Sequence, residues 1–206
     1  MKQAQFITLM SESLGVEEKT IKMTVRILRE AGLFTTGARG VNAPDITPLD
    51  AVRVVIAVVA STSPSRAVRD VRYFGALKPD RRDEEAASIW GLAWVDANKT
   101  LEETLLDCLS DRVPYEEISM GVLSLSERGE AHIATDNGRQ DYHQREQWQA
   151  VKDEYSASND NPKNEAVLEA WEAMHRISNT KVNRSAEISL AELHQIGFEI
   201  IGWEVD

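Results

Sequence analysis

Five side chains between residues 19 and 29 have types and spacing suited to binding an anionic surface. Four are cationic and one is apolar: Lys19, Lys22, Met23, Arg26 and Arg29. Separations of three and four residues place them on one side of an α-helix. Lysine and arginine donate charge-assisted hydrogen bonds to phosphate oxygens and also contact base edges. This side of the helix therefore predicts a surface that binds a phosphate-bearing polymer.

Apolar periodicity predicts the two helices that hold this surface. The apolar residues at helical spacing are Ile7, Met10 and Leu14 in the first segment and Ile21, Val25 and Leu28 in the second. Gly15 lies between the segments, where the chain must reverse, and Val16 follows as a buried turn residue. Residues 7–33 are therefore predicted to form two short helices joined by a tight turn. A helix-turn-helix presents its second helix to the DNA major groove in this way.

Three residues of the second helix argue against that interpretation. Glu17 and Glu18 occupy its first turn, where they favour the helix dipole but repel phosphates. Thr24 lies where a more apolar residue is usual. The basic face favours binding to duplex DNA, and a helical hairpin used for protein contact is the alternative.

Two further basic segments follow. Arg39 lies in a loop rich in glycine and small polar residues, which is either a wing that contacts DNA or a plain connector. Ser63 and Pro64 open a predicted helix to about residue 77, on which Arg66 and Arg69 lie one turn apart. That ridge is either a second surface for phosphates or a solvated helix face.

Charge divides the chain of 206 residues into two parts. Residues 1–82 carry thirteen Lys and Arg against eight Asp and Glu, a net charge of +5, whereas residues 83–206 carry ten against twenty-six, a net charge of −16. The stretch 78–87 is polar and has no periodic apolar face. We therefore predict a helical DNA-binding domain at 1–82 and an acidic domain for oligomerisation or partner binding at 83–206.

The second part predicts a mixed α+β domain with a small antiparallel sheet. Strands are predicted over 118–125, 131–135 and 139–144, and again over 181–188. A capping box at Thr100 predicts a helix through 109, and Asn161-Pro162 predicts another. A short final helix is predicted to end at Gly197, with a closing strand over 198–205. The fold class is thus α+β, with an all-α helix-turn-helix module at the N-terminus.

The remaining reactive side chains predict neither an enzyme nor a cofactor. His132, Asp136, Asp141 and His143 surround one hairpin, but their spacing matches no metal motif, so no metal is predicted. Cys108 lies on an apolar helical stripe and is predicted to be a buried, inert thiol. No nucleophile elbow, phosphate-binding glycine loop or dinucleotide fingerprint is present.

Three features of the sequence predict a cytoplasmic protein that does not cross a membrane. The single cysteine cannot form an internal disulfide, and no apolar N-terminal signal segment is visible. The longest apolar run, 54–60, is far shorter than the roughly 20 residues that a membrane helix needs.

Residues 7–33 and the trailing sequence LREAGLFTTGARG resemble the helix-turn-helix of winged bacterial regulators. The order of segments also has a looser likeness to bacteriophage small terminase subunits. The resemblance implies a sequence-specific protein that binds double-stranded DNA, a transcription regulator of bacterial or phage type, working as a homo-oligomer. One alternative is a phage DNA-packaging adaptor. The other is an acidic protein-interaction module that does not bind DNA.

Overall fold

Helices and one antiparallel sheet make up the part of the chain that the computed structural model describes, which is residues 1–37, 44–79, 91–127, 129–143 and 185–202. The α-helices in these ranges are α1 (Gln3–Leu14), α2 (Glu18–Glu30), α3 (Pro48–Ala60), α4 (Ala67–Gly75), α5 (Leu101–Leu109), α6 (Tyr115–Ile118) and α7 (Leu190–Ile201). The strands are β1 (Lys78–Pro79), β2 (Val122–Ser126), β3 (Ala131–Thr135), β4 (Gly138–His143) and β5 (Ser185–Ser189). The predicted α+β class with an antiparallel sheet is confirmed.

Helices α1 and α2 are joined by a turn that the side chains around it hold in place. Gly15 has a φ of +61°, a left-handed conformation that glycine adopts without steric cost. The Ser11 hydroxyl donates to the carbonyl of Val16 at 2.6 Å across this turn. Thr8 on α1 donates to the carboxylate of Glu18 on α2 at 2.9 Å. The start of α2 is therefore fixed relative to α1.

Capping residues set the start of α3. The Thr47 hydroxyl accepts from the backbone N–H of Asp50, and Pro48 occupies the first turn. Asp50 is buried, and its carboxylate accepts from the Thr47 hydroxyl and from the backbone N–H of Thr35 at 2.7 Å. One aspartate thus ties the segment after α2 to the first turn of α3. Thr100 caps α5 by the same reciprocal arrangement with Glu103.

The sheet has the strand order β1-β4-β3-β2-β5. Strand β5 therefore lies at one edge of the sheet and pairs with β2, which is an interior strand. Leu123 on β2 lies opposite Ile133 on β3 and Ile188 on β5, and all three are buried. This inner face packs against α3, and α7 packs on β5. Alternation along the strands therefore gives the sheet one apolar face that covers the helices.

Buried residues from both halves of the chain form one hydrophobic core. Helix α3 contacts α2 and α4 on one side of the predicted boundary and α5 and α7 on the other. Residues 80–90 lie outside the described ranges. The division into 1–82 and 83–206 stays a prediction.

Several predicted element bounds differ from the structure. The strand predicted from residue 118 begins at Val122, because 115–118 form the short helix α6. The helix predicted from residue 63 is a 3-10 turn, Pro64–Arg66, followed by α4. The prediction that the last helix ends at Gly197 is wrong, since α7 runs to Ile201, and a strand starting at residue 198 is wrong as well.

Gly197 has a packing role instead of a capping role. A Cβ atom placed on Gly197 would lie 2.0 Å from the carbonyl oxygen of Leu109, the last residue of α5. The glycine therefore permits close contact between α7 and the end of α5. Gly202 ends the helix with a φ of +73°.

Candidate nucleic-acid interface

The outer face of α2 is the exposed cationic surface that the sequence predicts. Its inner residues Ile21, Val25 and Leu28 are fully buried, and they hold the helix against α1, α3 and α4. Four predicted contact residues are consequently exposed on the other side: Lys19, Lys22, Met23 and Arg26. Met23 is 43% exposed, which is high for a large apolar side chain. We call these four residues the α2 outer face.

Two of these cations pair with acidic residues one helical turn away on α2. Lys22 Nζ lies 2.6 Å from Glu18 Oε2, and Arg26 Nε lies 2.8 Å from Glu30 Oε1. The hydrogen bond from Lys22, and then that from Thr8, hold the pKa of Glu18 below its usual value. All four side chains of the two pairs are well exposed, so water and salt weaken each attraction. A phosphate group can therefore compete for both cations.

Arg29 differs from the α2 outer face because it is only partly exposed and both of its described side-chain contacts lie outside α2. Its Nη2 donates to Gln3 Oε1 at 3.0 Å, and its guanidinium lies 5.3 Å from the centre of the Phe34 ring. The first contact connects the end of α2 with the start of α1, and the second is a cation–π contact with the segment after α2. Its predicted contact with DNA stays a prediction.

The second predicted basic ridge lies beside α2, since the Pro64–Arg66 turn packs against that helix. Arg66 Nη1 donates to Thr62 Oγ1 at 3.3 Å and lies 3.8 Å from Glu127 Oε1 on the β2–β3 hairpin. Arg69 Nε donates to Asp70 Oδ1 at 2.7 Å. Both arginines thus have acidic partners, and Arg66 is nearly half exposed. Arg39, the predicted contact in the loop, lies outside the described residues.

The sequence does not show that two carboxylates of this region are buried. Asp70 is almost completely buried and also accepts a hydrogen bond from the Ser61 hydroxyl at 2.7 Å. Glu127 is 8% exposed, although it lies in the turn that follows β2. Asp70 adjoins Arg69 in the chain, whereas only the tertiary fold brings Glu127 to Arg66, so local spacing does not find the second pair.

His132 on β3 is the predicted candidate histidine whose side chain the structure describes. His132 lies opposite Asp141 in the register of β3 and β4, but Asp141 accepts two hydrogen bonds from Arg139. Partial burial, and then the charge of Arg139, lower the pKa of His132. Asp136 is exposed, and nothing is described for the side chain of His143. Within the described ranges, no group of three or more His, Cys, Asp or Glu side chains is arranged to hold a metal ion.

Cys108 is buried on α5, and burial raises the pKa of its thiol to about 12. A thiol with this pKa is protonated at neutral pH and is a poor nucleophile. This placement agrees with the predicted inert thiol.

No protein-family model matches the chain. Comparison with curated proteins and with solved structures also finds no match. The charge and geometry of the described residues are therefore the basis for proposing a function.

No helix in the described part of the chain is both long enough and apolar enough to cross a membrane. The longest described helices, α2 and α3, have 13 residues each.

Proposed function

We propose that the protein binds duplex DNA by inserting α2 into the major groove, with α1 and the Gly15 turn as the supporting half of a helix-turn-helix. The observation that carries this proposal is the α2 outer face, which presents three cations around one exposed methionine. A helix of 13 residues is about 20 Å long, and the major groove, about 12 Å wide, admits one helix.

Each part of the α2 outer face has a role in this mechanism. Lys22 and Arg26 exchange their exposed carboxylate partners on α2 for DNA phosphates or for base edges. Lys19 adds a third cation at the start of the helix. Met23 lies among these cations, where it contacts the apolar edge of a base pair, such as a thymine methyl group.

Arg66 and Arg69 supply a second set of backbone contacts beside α2. The Pro64–Arg66 turn packs against α2, and this proximity to the helix supports their assignment to the DNA surface. Phosphate contacts fix the position of a protein on DNA, whereas base contacts provide the specificity. Arg29 and Arg39 are the remaining contacts of the proposal.

The proposed role is transcription regulation by a symmetric oligomer in the cytoplasm. One recognition helix buries little surface, and regulators of this class double the contact by dimerising. A packaging adaptor would use the same α2 surface in a ring of many subunits. Mass in solution, measured by light scattering with and without DNA, separates a dimer from a ring.

The test of DNA binding is a titration of a fluorescent random duplex of 30 base pairs at several salt concentrations. Lys22→Ala and Arg26→Ala are each expected to weaken binding about tenfold and to reduce the slope of log affinity against log salt by about one. The matched control is Arg112→Ala, because Arg112 is an exposed arginine paired with Asp107 at 3.1 Å and lies in the segment between α5 and α6.

Unchanged affinity in both α2 variants would contradict the proposal. The acidic interaction module would then be favoured, particularly if the unaltered chain is monomeric and has no affinity for duplex DNA. Equal losses in Arg112→Ala and Arg26→Ala would show a general charge effect and would also contradict a defined α2 surface.

A further inference from the structure

Glu127 is a buried carboxylate whose charge is poorly compensated. Its Oε1 lies 3.8 Å from Arg66 Nη1, within the range of an ion pair but beyond hydrogen-bond distance. Its Oε2 is buried and has no hydrogen-bond partner among the described residues. Buried carboxylates are normally paired and hydrogen-bonded, because removing a charge from water is unfavourable. Arg66 therefore stabilises Glu127, although its contact is long.

The position of this pair connects the sheet with the proposed DNA surface. Glu127 lies in the β2–β3 hairpin, directly after β2, and Arg66 ends the 3-10 turn that packs on α2. A second contact holds the hairpin in the same place, since the Tyr73 hydroxyl on α4 donates to the carbonyl of Gly129 at 3.2 Å. Moving the Arg66 side chain therefore affects Glu127 without undocking the hairpin.

Arg66 is accessible to a second anion. Its side chain is 44% exposed, and its one described hydrogen bond is to the neutral hydroxyl of Thr62. A DNA phosphate offers a guanidinium charge-assisted hydrogen bonds at about 2.8 Å, shorter than the 3.8 Å separation from Glu127. The phosphate and Glu127 therefore compete for the same cation.

We propose that Glu127 holds Arg66 in the DNA-free protein, that a DNA phosphate takes Arg66 over on binding, and that Glu127 thereby limits DNA affinity. This inference rests on the proposed function. When Arg66 turns to the phosphate, the Glu127 carboxylate loses its cation while it is still largely buried. The free energy of DNA binding must offset that loss. Glu127 therefore positions Arg66 in the DNA-free protein and lowers the affinity for DNA.

The test compares two isosteric variants of the same hairpin. Glu127→Gln removes the competing charge, and Glu130→Gln removes an equal charge from an exposed carboxylate that has no described contact with Arg66. With the 30-base-pair random duplex, Glu127→Gln is expected to bind roughly fivefold tighter than the unaltered protein. Glu130→Gln is expected to change affinity by less than about twofold. A gain of affinity cannot result from misfolding.

A double-mutant cycle assigns the gain to Arg66. Arg66→Ala is expected to weaken binding, and the double variant Arg66→Ala/Glu127→Gln should bind no more tightly than Arg66→Ala alone. The salt slope of Glu127→Gln should be at least as steep as that of the unaltered protein, because Arg66 still contacts a phosphate. If Glu127→Gln does not fold, Glu127→Asp withdraws the carboxylate by one methylene and should give a smaller gain.

The outcomes separate this inference from the proposed function. Equal affinities of the Glu127→Gln and Glu130→Gln variants, or a gain that persists without Arg66, would overturn the competition. The Lys22 and Arg26 results would then still support DNA binding by α2. No salt-dependent binding of any duplex by the unaltered protein would overturn both proposals.

Discussion

Two arginine–glutamate pairs in this protein show opposite uses of the same chemistry. Arg26 and Glu30 lie one turn apart on α2, and both are well exposed. Arg53 on α3 binds Glu102 on α5 through two hydrogen bonds, of 2.8 and 3.1 Å, and both side chains are about one fifth exposed. The first pair forms wherever α2 forms, whereas the second forms only when α3 and α5 are packed. The exposed cation is available to a ligand, and the mostly buried cation is part of the fold.

Substitutions where helices pack together should reduce stability more than substitutions on the exposed side of α2. Gly197→Ala, at the contact between α7 and α5, is the most severe test. The new methyl group would overlap the Leu109 carbonyl, so α7 must move away from α5. We expect the free energy of unfolding to fall by about 3 kcal/mol or more, measured by urea denaturation. The control is Gly15→Ala in the turn before α2, where nothing lies within 4 Å of the new methyl and only the positive φ opposes it. A larger loss in Gly15→Ala would reverse the comparison.

Breaking the Arg53–Glu102 pair should cause the next largest loss of stability. Arg53→Met keeps the apolar stem but removes both hydrogen bonds to Glu102 and the bond to the Leu33 carbonyl at 3.4 Å. Because an unpaired carboxylate is then left partly buried, we expect a loss of about 2 kcal/mol in the free energy of unfolding. If Arg53→Met has the same urea midpoint as Arg26→Met, the two pairs are energetically alike and the comparison fails.

The third effect is a loss of stability at alkaline pH. Burial raises the pKa of Cys108 from 9.0 to about 12, so the folded protein retains a proton that the unfolded chain releases. Stability is therefore full below pH 9 and falls by about 1.4 kcal/mol per pH unit for this group as the pH approaches 12. Tyr73 adds to the trend above pH 10, because burial raises its pKa to about 12.

Cys108→Ala measures the thiol's share of this alkaline loss. Urea unfolding between pH 8 and 11 should be less pH-dependent in that variant than in the unaltered protein. A thiol reagent at pH 8 should also modify the unaltered protein in urea but not in its folded state. Rapid modification of the folded protein would contradict the burial of Cys108.

The smallest effect on stability is expected on the α2 outer face. Lys22→Ala and Arg26→Ala should leave the urea midpoint unchanged within error, because both cations and their partners are solvated. The same variants should weaken DNA binding, which distinguishes a ligand surface from a structural one. A clear fall in the midpoint would assign these cations to the fold.

The sequence predicted the features whose causes are local. The Thr100 cap depends on a residue three positions away, and the inner face of α2 depends on helical spacing. Gly197, Glu127 and Glu102 acquire their roles from partners that only the tertiary fold supplies. Arg53 and Glu102, for example, are 49 residues apart in the chain. Local patterns therefore predicted the helices and the cations on α2, but not the contacts that distinguish one arginine from another.

The strand order places the completion of the fold late in synthesis. Strand β5 pairs with β2, and α7 contacts α1, α3 and α5, so residues near 190 pack against residues near 10. In a nascent chain that has emerged only as far as β4, two surfaces are still uncovered. They are the edge of β2 that later pairs with β5 and the surface of α1 that later contacts α7. Because such distant contacts slow folding, the ribosome-bound intermediate should expose apolar surface for a chaperone to shield.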